Sequence, residues 1–506
     1  MTEPRRKTVE QAVQASETSG LRRTMGPFHL TMLGVGSTVG AGIYVMAGTA
    51  AANYAGPAVV LSFVIAGFAC LFTAFSYAEL ASSIPVSGSA YTYAYVSLGE
   101  RAAWWVGWLL LLEYGISCAG VASGFSGYAV SFLHDLGIII PDALHASMVT
   151  ASMTANGTVL SAGWRIDLPA TMSVLIVTAM LMRGVTESIT INTAIVLLKT
   201  MTLLIFVSVG LTAIHPDYWH PFLPASEGVF RYGIGGVFRA ASVVFFAYVG
   251  FEAVSTASTE ARSPRRDIPI GIIGSLLICT LIYLCVALVL TGVVPWRQLD
   301  VSDPLALAAD AIGSPSLAVL VKLAGVIGLC SVLFGLLYGQ SRIFFTMAQD
   351  GLLPPIFNRL HPRFHTPVAG SLLLGLLVAL ATATLPIDII SDLVSIGTAA
   401  AFGVVNLTVI RDRSVRPEAE RPYRVPLGAI RIGRLWLGFT PLLGILFAGV
   451  MMLPLLVELT SGILSGNRLP AILLGIYFAS GAVIYRFYGL SHSELARKRK
   501  ISRYEA

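Results

Sequence analysis

The chain reads GVGSTVGAGIY over residues 34–44, and this segment holds Gly34, Gly36, Gly40 and Gly42 in an otherwise apolar stretch. A glycine inside a helix costs up to ~1 kcal/mol relative to alanine, so four of them predict an unwound segment. Close helix packing is the alternative, since small residues four apart, such as Gly36 and Gly40, also let two membrane helices approach each other. The rest of the sequence has to decide between these two interpretations.

The composition is that of an integral membrane protein. The 506 residues are 55% hydrophobic and 12% charged, whereas soluble domains contain about 25% charged residues. The five cysteines form no CxxC pair, which argues against disulfides and structural zinc. The polar N-terminus lacks an apolar core with a cleavage site and is predicted to be a cytoplasmic tail.

Apolar stretches of about 20 residues, the length that crosses a bilayer, recur along the whole chain. They are continuously apolar and do not alternate with period two, so they predict helices and not the strands of a barrel. Twelve transmembrane helices are expected near 28–50, 57–80, 102–132, 168–185, 191–213, 234–258, 270–294, 318–345, 367–386, 390–410, 437–457 and 469–488.

Basic residues are distributed unevenly between alternate loops. The loops on one side, together with both tails, include Arg22, Arg262, Arg359 and many others, whereas the other side has little beyond Arg165, Arg231, Arg297 and Arg468. Positive charge marks the cytoplasmic side of membrane proteins. We therefore expect both termini in the cytoplasm.

The sixth predicted helix carries a second interruption, in the segment FFAYVGFEAVSTASTE at residues 245–260, where Gly250 is soon followed by Glu252. Two interrupted helices at corresponding places of two halves indicate a secondary transporter built on inverted repeats. The expected organisation is an N-terminal tail (1–26), a first five-helix repeat (27–215), a second (216–412), two further helices (413–488) and a basic tail (489–506).

Unwinding frees backbone groups that only a substrate, an ion or water can satisfy at membrane depth. A half-helix starting near Gly40 points free N–H groups and its positive dipole end at an anion, while unwound carbonyls suit a cation. A ligand that carries both charges a few ångströms apart is an α-amino acid. The two breaks therefore predict an amino-acid site.

Together with LLYGQSRIFFTMAQDGLLP at residues 336–354, the two interrupted segments resemble the amino acid–polyamine–organocation superfamily, specifically bacterial members of the cationic amino acid transporter family. The resemblance extends through nearly the whole chain. It implies an all-α membrane fold of the LeuT type, with two inverted five-helix repeats plus two helices, and amino-acid uptake by alternating access.

The resemblance also implies a set of substrate contacts made mainly by the backbone. Three amides would receive the α-carboxylate and four carbonyls the α-ammonium. These are the amides of Gly40, Ala41 and Gly42 and the carbonyls of Thr38, Phe246, Ala247 and Val249. Ala41 stands where relatives have a hydroxyl residue, and Phe246 resembles a gate that covers the site from outside.

Lys199 lies deep in the fifth predicted helix, where an ionisable side chain is a functional hypothesis by default. Burial favours the neutral form of a lysine, so Lys199 is a candidate proton carrier. Resemblance to proton-coupled relatives implies that its ammonium replaces the sodium ion of more distant members. The alternative is a permanently charged lysine that ties helices one and eight together through their carbonyls.

Glu113 and Glu252 are the other ionisable residues predicted at membrane depth that concern the site. Each is a candidate proton carrier or pocket acid, and each has an alternative role as a buried hydrogen-bonding strut. Leu337 is positioned by resemblance to shorten the side-chain pocket. We therefore expect small neutral substrates such as alanine, with arginine, lysine or a polyamine as the alternative.

Other function classes fit the sequence less well. No segment resembles the selectivity filter of an ion channel. An enzyme is not expected, because the eight histidines form no spacing typical of a metal or catalytic cluster. No cofactor, metal or nucleic-acid partner is predicted; the proton is the expected coupling ion, the lipid bilayer the expected surroundings, and a small membrane subunit stays open.

Overall fold

The structure is a computed structural model that describes residues 6–10, 24–86, 89–154, 157–184, 189–465 and 468–497. Parts of the predicted tails at 1–26 and 489–506 lie outside these residues. The described chain is mostly helical. Its α-helices are α1 (Pro27–Thr38), α2 (Ala47–Ala50), α3 (Val59–Ser83), α4 (Ser89–Ser97), α5 (Glu100–Leu110), α6 (Ser117–Asp135), α7 (Leu168–Met182), α8 (Ile189–Gly210), α9 (Gly233–Val244), α10 (Pro264–Val293), α11 (Pro304–Ala311), α12 (Pro315–Gln349), α13 (Val368–Thr384), α14 (Ile387–Val415), α15 (Phe439–Ser465), α16 (Leu469–Ile484) and α17 (Leu490–His492).

Tighter and wider helical turns connect or extend several of these helices. The π-helical turns are Gly42–Met46, Ala51–Ala55, Leu111–Ile116 and Tyr485–Gly489. The 3₁₀ turns are Gly56–Ala58, Asp142–Leu144, Leu211–Ala213, Pro216–Trp219, Phe245–Tyr248, Phe251–Ala257, Trp296–Gln298 and Pro355–Phe357. Two antiparallel hairpins complete the described fold, β1 (Val149–Thr154) with β2 (Gly157–Ala162) and β3 (Ala429–Ile432) with β4 (Leu435–Gly438).

Nine helical segments of the described residues are long and apolar enough to cross a bilayer, and α7 and α13 are shorter apolar helices. Large apolar side chains on their outer faces are exposed, among them Leu281, Leu380 and Leu446. Exposed apolar surface on this scale is stable only against lipid. The chain is therefore an all-α membrane protein that crosses the bilayer several times, as predicted, with two small hairpins that the sequence did not reveal.

Several helices are longer than the apolar stretches that predicted them. The prediction at 390–410 corresponds to α14, which continues to Val415, and the one at 318–345 corresponds to α12, which spans 35 residues. The extra turns are polar and carry ion pairs, such as the one between Arg413 of α14 and Glu79 of α3. Hydropathy locates the part of a helix inside the bilayer and not the part that projects from it.

The helices pack around the first and sixth interrupted segments. α10 lies along both α3 and α1, α12 lies along α6 and α8, and α14 lies along α15. α1 also contacts α8 and the 3₁₀ turn Phe251–Ala257. This packing buries the two interruptions at the centre of the molecule.

Candidate substrate-binding site

The first interruption separates α1 from the π-helical turn Gly42–Met46. α1 ends at Thr38, and Val39 has an extended backbone with ψ of 90°. The sequence predicted a break in this glycine-rich segment, and the structure confirms it. However, Gly36 lies inside α1, and the break occurs at Val39 and Gly40.

The freed carbonyls of the first interruption receive a lysine. Lys199 of α8 is fully buried and donates hydrogen bonds to the carbonyl oxygens of Gly36 and Val39, the second at 2.8 Å. A cation from another helix therefore occupies the acceptors that the end of α1 leaves open.

The second interruption follows α9. The 3₁₀ turn Phe245–Tyr248 is succeeded by Val249, with an extended backbone, and by Gly250, whose φ of 123° strongly favours glycine. The amide of Gly250 donates to both carboxyl oxygens of Glu252, at 3.1 and 3.0 Å. The Tyr114 hydroxyl donates to one of the same oxygens at 3.0 Å. The carboxyl group of Glu252, two residues along the chain, therefore accepts the hydrogen bonds of the amide that this break frees.

The two interruptions touch each other through positions that only glycine can occupy. A β-carbon on Gly42 would lie 2.0 Å from the α-carbon of Ala247, and one on Gly250 would lie 2.6 Å from the backbone of Ser37. These are backbone neighbours that cannot rotate away. The structure thus brings the predicted amide and carbonyl segments into direct contact.

Some backbone amides at this contact have no hydrogen-bond partner among the described residues, whereas several carbonyls already accept a hydrogen bond. Among the backbone bonds that the described residues make outside regular helices and strands, none has the amide of Gly40, Ala41 or Gly42 as its donor. Among the predicted carbonyls, Phe246 accepts from Val249 N–H at 3.2 Å, and Thr38 and Ala247 accept from a tyrosine described below. A carbonyl oxygen has a second lone pair, so these groups retain acceptor capacity.

An open cavity of about 600 Å³ lies beyond the contact. Val45 and Thr49, on the helical segment that follows Gly42, line it together with Ser123 and Gly127 of α6 and Asp303 of the loop before α11. Its volume exceeds that of a free amino acid, and its lining mixes polar and apolar groups. The cavity therefore borders the helical segment that follows the first break.

Comparison with known protein families and proteins adds independent information. The family model described as amino acid permease matches residues 25–479. This chain belongs to the amino acid permease family. The family lies within the amino acid–polyamine–organocation superfamily, as the resemblance implied, and the permease is a transporter and not an enzyme.

The relatives to which the permease is similar are named for different substrates. The methylthioribose transporter of Bacillus subtilis (strain 168) is 39% identical over 97% of this chain and 98% of its own length. The branched-chain amino acid permease BcaP of the same organism is 38% identical over 97% and 98%. The vacuolar cationic amino acid transporter 4 of Arabidopsis thaliana is 36% identical over 79% of this chain and 64% of its own. These similarities support amino-acid transport by the permease.

The remaining predicted residues surround the contact at different distances. The ring of Phe246 lies beside Gly120 of the third span, 3.3 Å from where a β-carbon would stand. Glu113 is fully buried, close enough to Glu252 for the two carboxyl groups to interact electrostatically, yet neither of its oxygens has a hydrogen-bond partner among the described residues. Glu113 therefore lies near the second break without taking part in its hydrogen bonds.

Leu337 is buried in α12, but its helix face differs from the one that reaches the first break. Val332 is the α12 residue nearest Gly40, with its methyl group 3.2 Å from where a β-carbon would stand. Five residues further along, Leu337 is turned by about 140° around the helix axis at 3.6 residues per turn. Contact between Leu337 and a substrate side chain stays a prediction.

Tyr283 of α10 is a site residue that the sequence reading missed. It is buried, and its hydroxyl lies 2.8 Å from the carbonyl oxygen of Thr38 and 2.9 Å from that of Ala247. The single hydroxyl proton can serve either carbonyl, so this side chain links the two interruptions. The only signal in the sequence is a tyrosine in an apolar helix, whose hydroxyl needs a partner when buried.

Proposed function

We propose that the permease imports L-amino acids by alternating access and that the two breaks bind the substrate's charged backbone groups. The observation that carries this proposal is the juxtaposition of the open amides at Gly40, Ala41 and Gly42 with carbonyls of the second break. A carboxylate suits the first set and an ammonium the second. Alternating access would require the helices that carry both sets to move relative to the surrounding ones.

The proposal includes a LeuT-type architecture of twelve spans. The helical segment Gly42–Ser83 contains 42 residues, about 63 Å at 1.5 Å per residue, which is twice the ~30 Å of hydrocarbon. Gly56, with φ of 62°, provides a reversal between two crossings. Adding α7 and α13 gives twelve spans, and the breaks then fall in the first span of each proposed repeat, 27–215 and 216–412, followed by two helices within 413–488.

We further propose that the permease lies in a bacterial inner membrane with both termini in the cytoplasm. The loop after α14 and the C-terminal segment carry clustered arginines and lysines on the same inferred side. Bacterial relatives of nearly full length support the location. No cofactor is needed for this function, and a small membrane subunit is compatible with it.

Proton coupling is proposed to act through Lys199. Its ammonium fills the position between carbonyls where a cation would stabilise the first break, and release of its proton would weaken two buried hydrogen bonds at once. The alternative is that Lys199 remains charged and only holds the break together. The two roles differ in whether uptake responds to a pH gradient.

Small neutral amino acids are the proposed substrates, with arginine or lysine as the alternative. Val332 and Phe246, which lie beside Gly40 and Gly120, are apolar, and Leu337 is expected to shorten the side-chain pocket, whereas Glu113 and Glu252 are acids that a cationic side chain could use. Exchange of Leu337 for serine should broaden uptake toward larger amino acids. An unchanged size preference would remove Leu337 from the pocket.

A second candidate function is uptake of methylthioribose, because a relative with that name is 39% identical over almost the whole chain. An uncharged sugar thioether has neither a carboxylate nor an ammonium. It would leave the open amides and carbonyls at the breaks without charged partners, so the geometry favours an amino acid.

Uptake into proteoliposomes by the purified permease tests these proposals together. The panel contains labelled alanine, valine, arginine and methylthioribose, each measured with and without an inward proton gradient. We expect alanine uptake that the gradient stimulates. Uptake that depends on sodium and ignores pH would contradict the role of Lys199, and uptake of methylthioribose alone would contradict the amino-acid proposal.

A further inference from the structure

The loop between α14 and α15 folds into the hairpin of β3 and β4, which has two different faces. The register pairs Ile430 with Leu437 and Ile432 with Leu435. Cross-strand partners share a face, and side chains alternate along each strand. One face of the hairpin is therefore formed by four aliphatic residues, and the other contains Arg431 and Trp436.

The second face is fastened to the body of the protein. Trp436 is buried, its amide donates to the Ser414 hydroxyl at 2.9 Å, and the Arg413 guanidinium lies 4.3 Å from the centre of its ring. The aliphatic face therefore points away from α14. Leu437, at the base of this face, is half-buried and packs against the core, whereas Ile430 is 53%, Ile432 63% and Leu435 45% exposed, so the part of the face toward the tip is uncovered among the described residues.

The base of the hairpin is held in place. The amide of Val425 donates to a carboxyl oxygen of Glu79 at 2.7 Å, and Phe439 N–H donates to Gly428 at 3.1 Å. Arg413 pairs with the same glutamate. The exposed face is consequently presented in a fixed orientation and does not belong to a loosely attached loop.

The aliphatic face continues into surface that lipid covers. α15 begins at Phe439, immediately after the last hairpin residue, and Phe439 and Leu442 are exposed on its first turns. Because α15 enters the bilayer there, the hairpin lies at the level of the lipid headgroups. Two exposed arginines accompany the apolar residues, Arg431 on one strand and Arg434 at the tip.

We infer that this hairpin is a membrane-interface anchor that binds anionic phospholipid. Its aliphatic face enters the boundary between headgroups and acyl chains, and Arg431 and Arg434 contact the phosphate groups of anionic headgroups. Apolar residues combined with arginines are the composition that holds a segment in this zone. The inference depends on the membrane setting and not on the substrate, and the proposed orientation makes the leaflet the cytoplasmic one.

Site-directed spin labelling tests which environment the two faces meet. Nitroxides are placed through Ile432→Cys and, as the matched control on the opposite face, Arg431→Cys, in full-length chain whose five cysteines are replaced. The label at 432 should collide more with oxygen than with a water-soluble nickel reagent, and the label at 431 should show the reverse. Equal nickel access at both positions, or shielding of 432 from both reagents by a second copy or a tail, would overturn the inference.

Hydrogen exchange on the chain with its own cysteines gives a second, independent readout. Amides of residues 427–439 should exchange several-fold more slowly in nanodiscs of equal parts phosphatidylcholine and phosphatidylglycerol than in phosphatidylcholine alone. The double variant Arg431→Gln, Arg434→Gln should lose this difference, while residues 220–232 serve as an internal control that lipid charge leaves unchanged. Identical exchange of 427–439 in both lipids would refute the role of anionic headgroups.

Discussion

The two interrupted helices bind their freed backbone groups with side chains of opposite kind, a basic donor at the first break and an acidic acceptor at the second. In the first, carbonyls freed at the end of α1 accept hydrogen bonds from Lys199. In the second, the amide freed at Gly250 donates to the carboxyl group of Glu252. Each break leaves backbone groups of the other polarity available: amides at the first and carbonyls at the second.

The two stabilising side chains also differ in how far they lie along the sequence from the break that they contact. Glu252 lies two residues from Gly250, so the acceptor of the second break comes from its own segment, and Tyr114 of another segment donates to it. Lys199 belongs to a separate helix, so the first break depends on the position and charge of α8. The proposed proton release from Lys199 would therefore act on the first break, whereas the acid of the second break belongs to the same segment as the amide that it accepts from.

The largest effect is expected where the interruptions touch. Gly42→Ala would place a methyl group 2.0 Å from the Ala247 backbone, and relief of such overlap typically costs ~1–3 kcal/mol or more. We expect loss of uptake and a lower unfolding temperature in detergent. Gly449→Ala is the matched control, because no atom lies within 4 Å of its added methyl group. Wild-type behaviour of Gly42→Ala would mean that the breaks do not meet as described.

The next largest effect is expected for Lys199, and it should distinguish this residue from another buried lysine. Lys199→Gln removes a charged donor from two buried carbonyls, and ~2.7 kcal/mol of lost stabilisation corresponds to about a 100-fold fall in gradient-driven uptake. Lys322→Gln is the control, since Lys322 is equally buried but pairs with Asp135 and Asp310. Equal loss of pH-gradient response in both variants would show that the response is not specific to Lys199.

A smaller effect is expected at the acid of the second break. In Glu252→Gln the side chain can still accept from Gly250 but loses the charge that strengthens the bond, so we expect about a tenfold fall in the initial uptake rate. Glu113→Gln, which removes a carboxyl group that has no hydrogen-bond partner within the described part of the chain, should have less effect. A greater loss in Glu113→Gln than in Glu252→Gln would reverse the roles assigned to the two acids.

The smallest effect is expected where one hydroxyl links the two breaks. Tyr283→Phe removes a hydrogen bond of ~0.5–1.5 kcal/mol, equivalent to a rise in KM of roughly two- to tenfold. Tyr248→Phe is the control, because Tyr248 donates to the carbonyl of Phe63 instead. If the two variants have the same KM, Tyr283 has no particular influence on the substrate site.

The sequence predicted the breaks because glycine clusters are rare in apolar helices, and it predicted the depth of Lys199 because charge at that position is costly. It did not show which glycines of the segment stay helical, since Gly36 packs beside Val196 within α1 while Val39 leaves the helix. The partnership of Glu252 with Gly250 and the position of Tyr283 depend on tertiary contacts. Hydropathy alone could not reveal the β3–β4 hairpin, because each strand has only four residues, with aliphatic residues on either side of Arg431 in β3 and of Trp436 in β4.

The central claim is that the two breaks bind the charged backbone groups of an amino acid. Competition against labelled alanine in proteoliposomes tests this most directly, using alaninamide, which lacks the carboxylate, propionate, which lacks the ammonium, and methylthioribose, which lacks both. Unlabelled alanine should compete fully, and the three analogues should fail at concentrations where alanine saturates uptake. Competition by any of these analogues as strong as that by alanine would contradict the account.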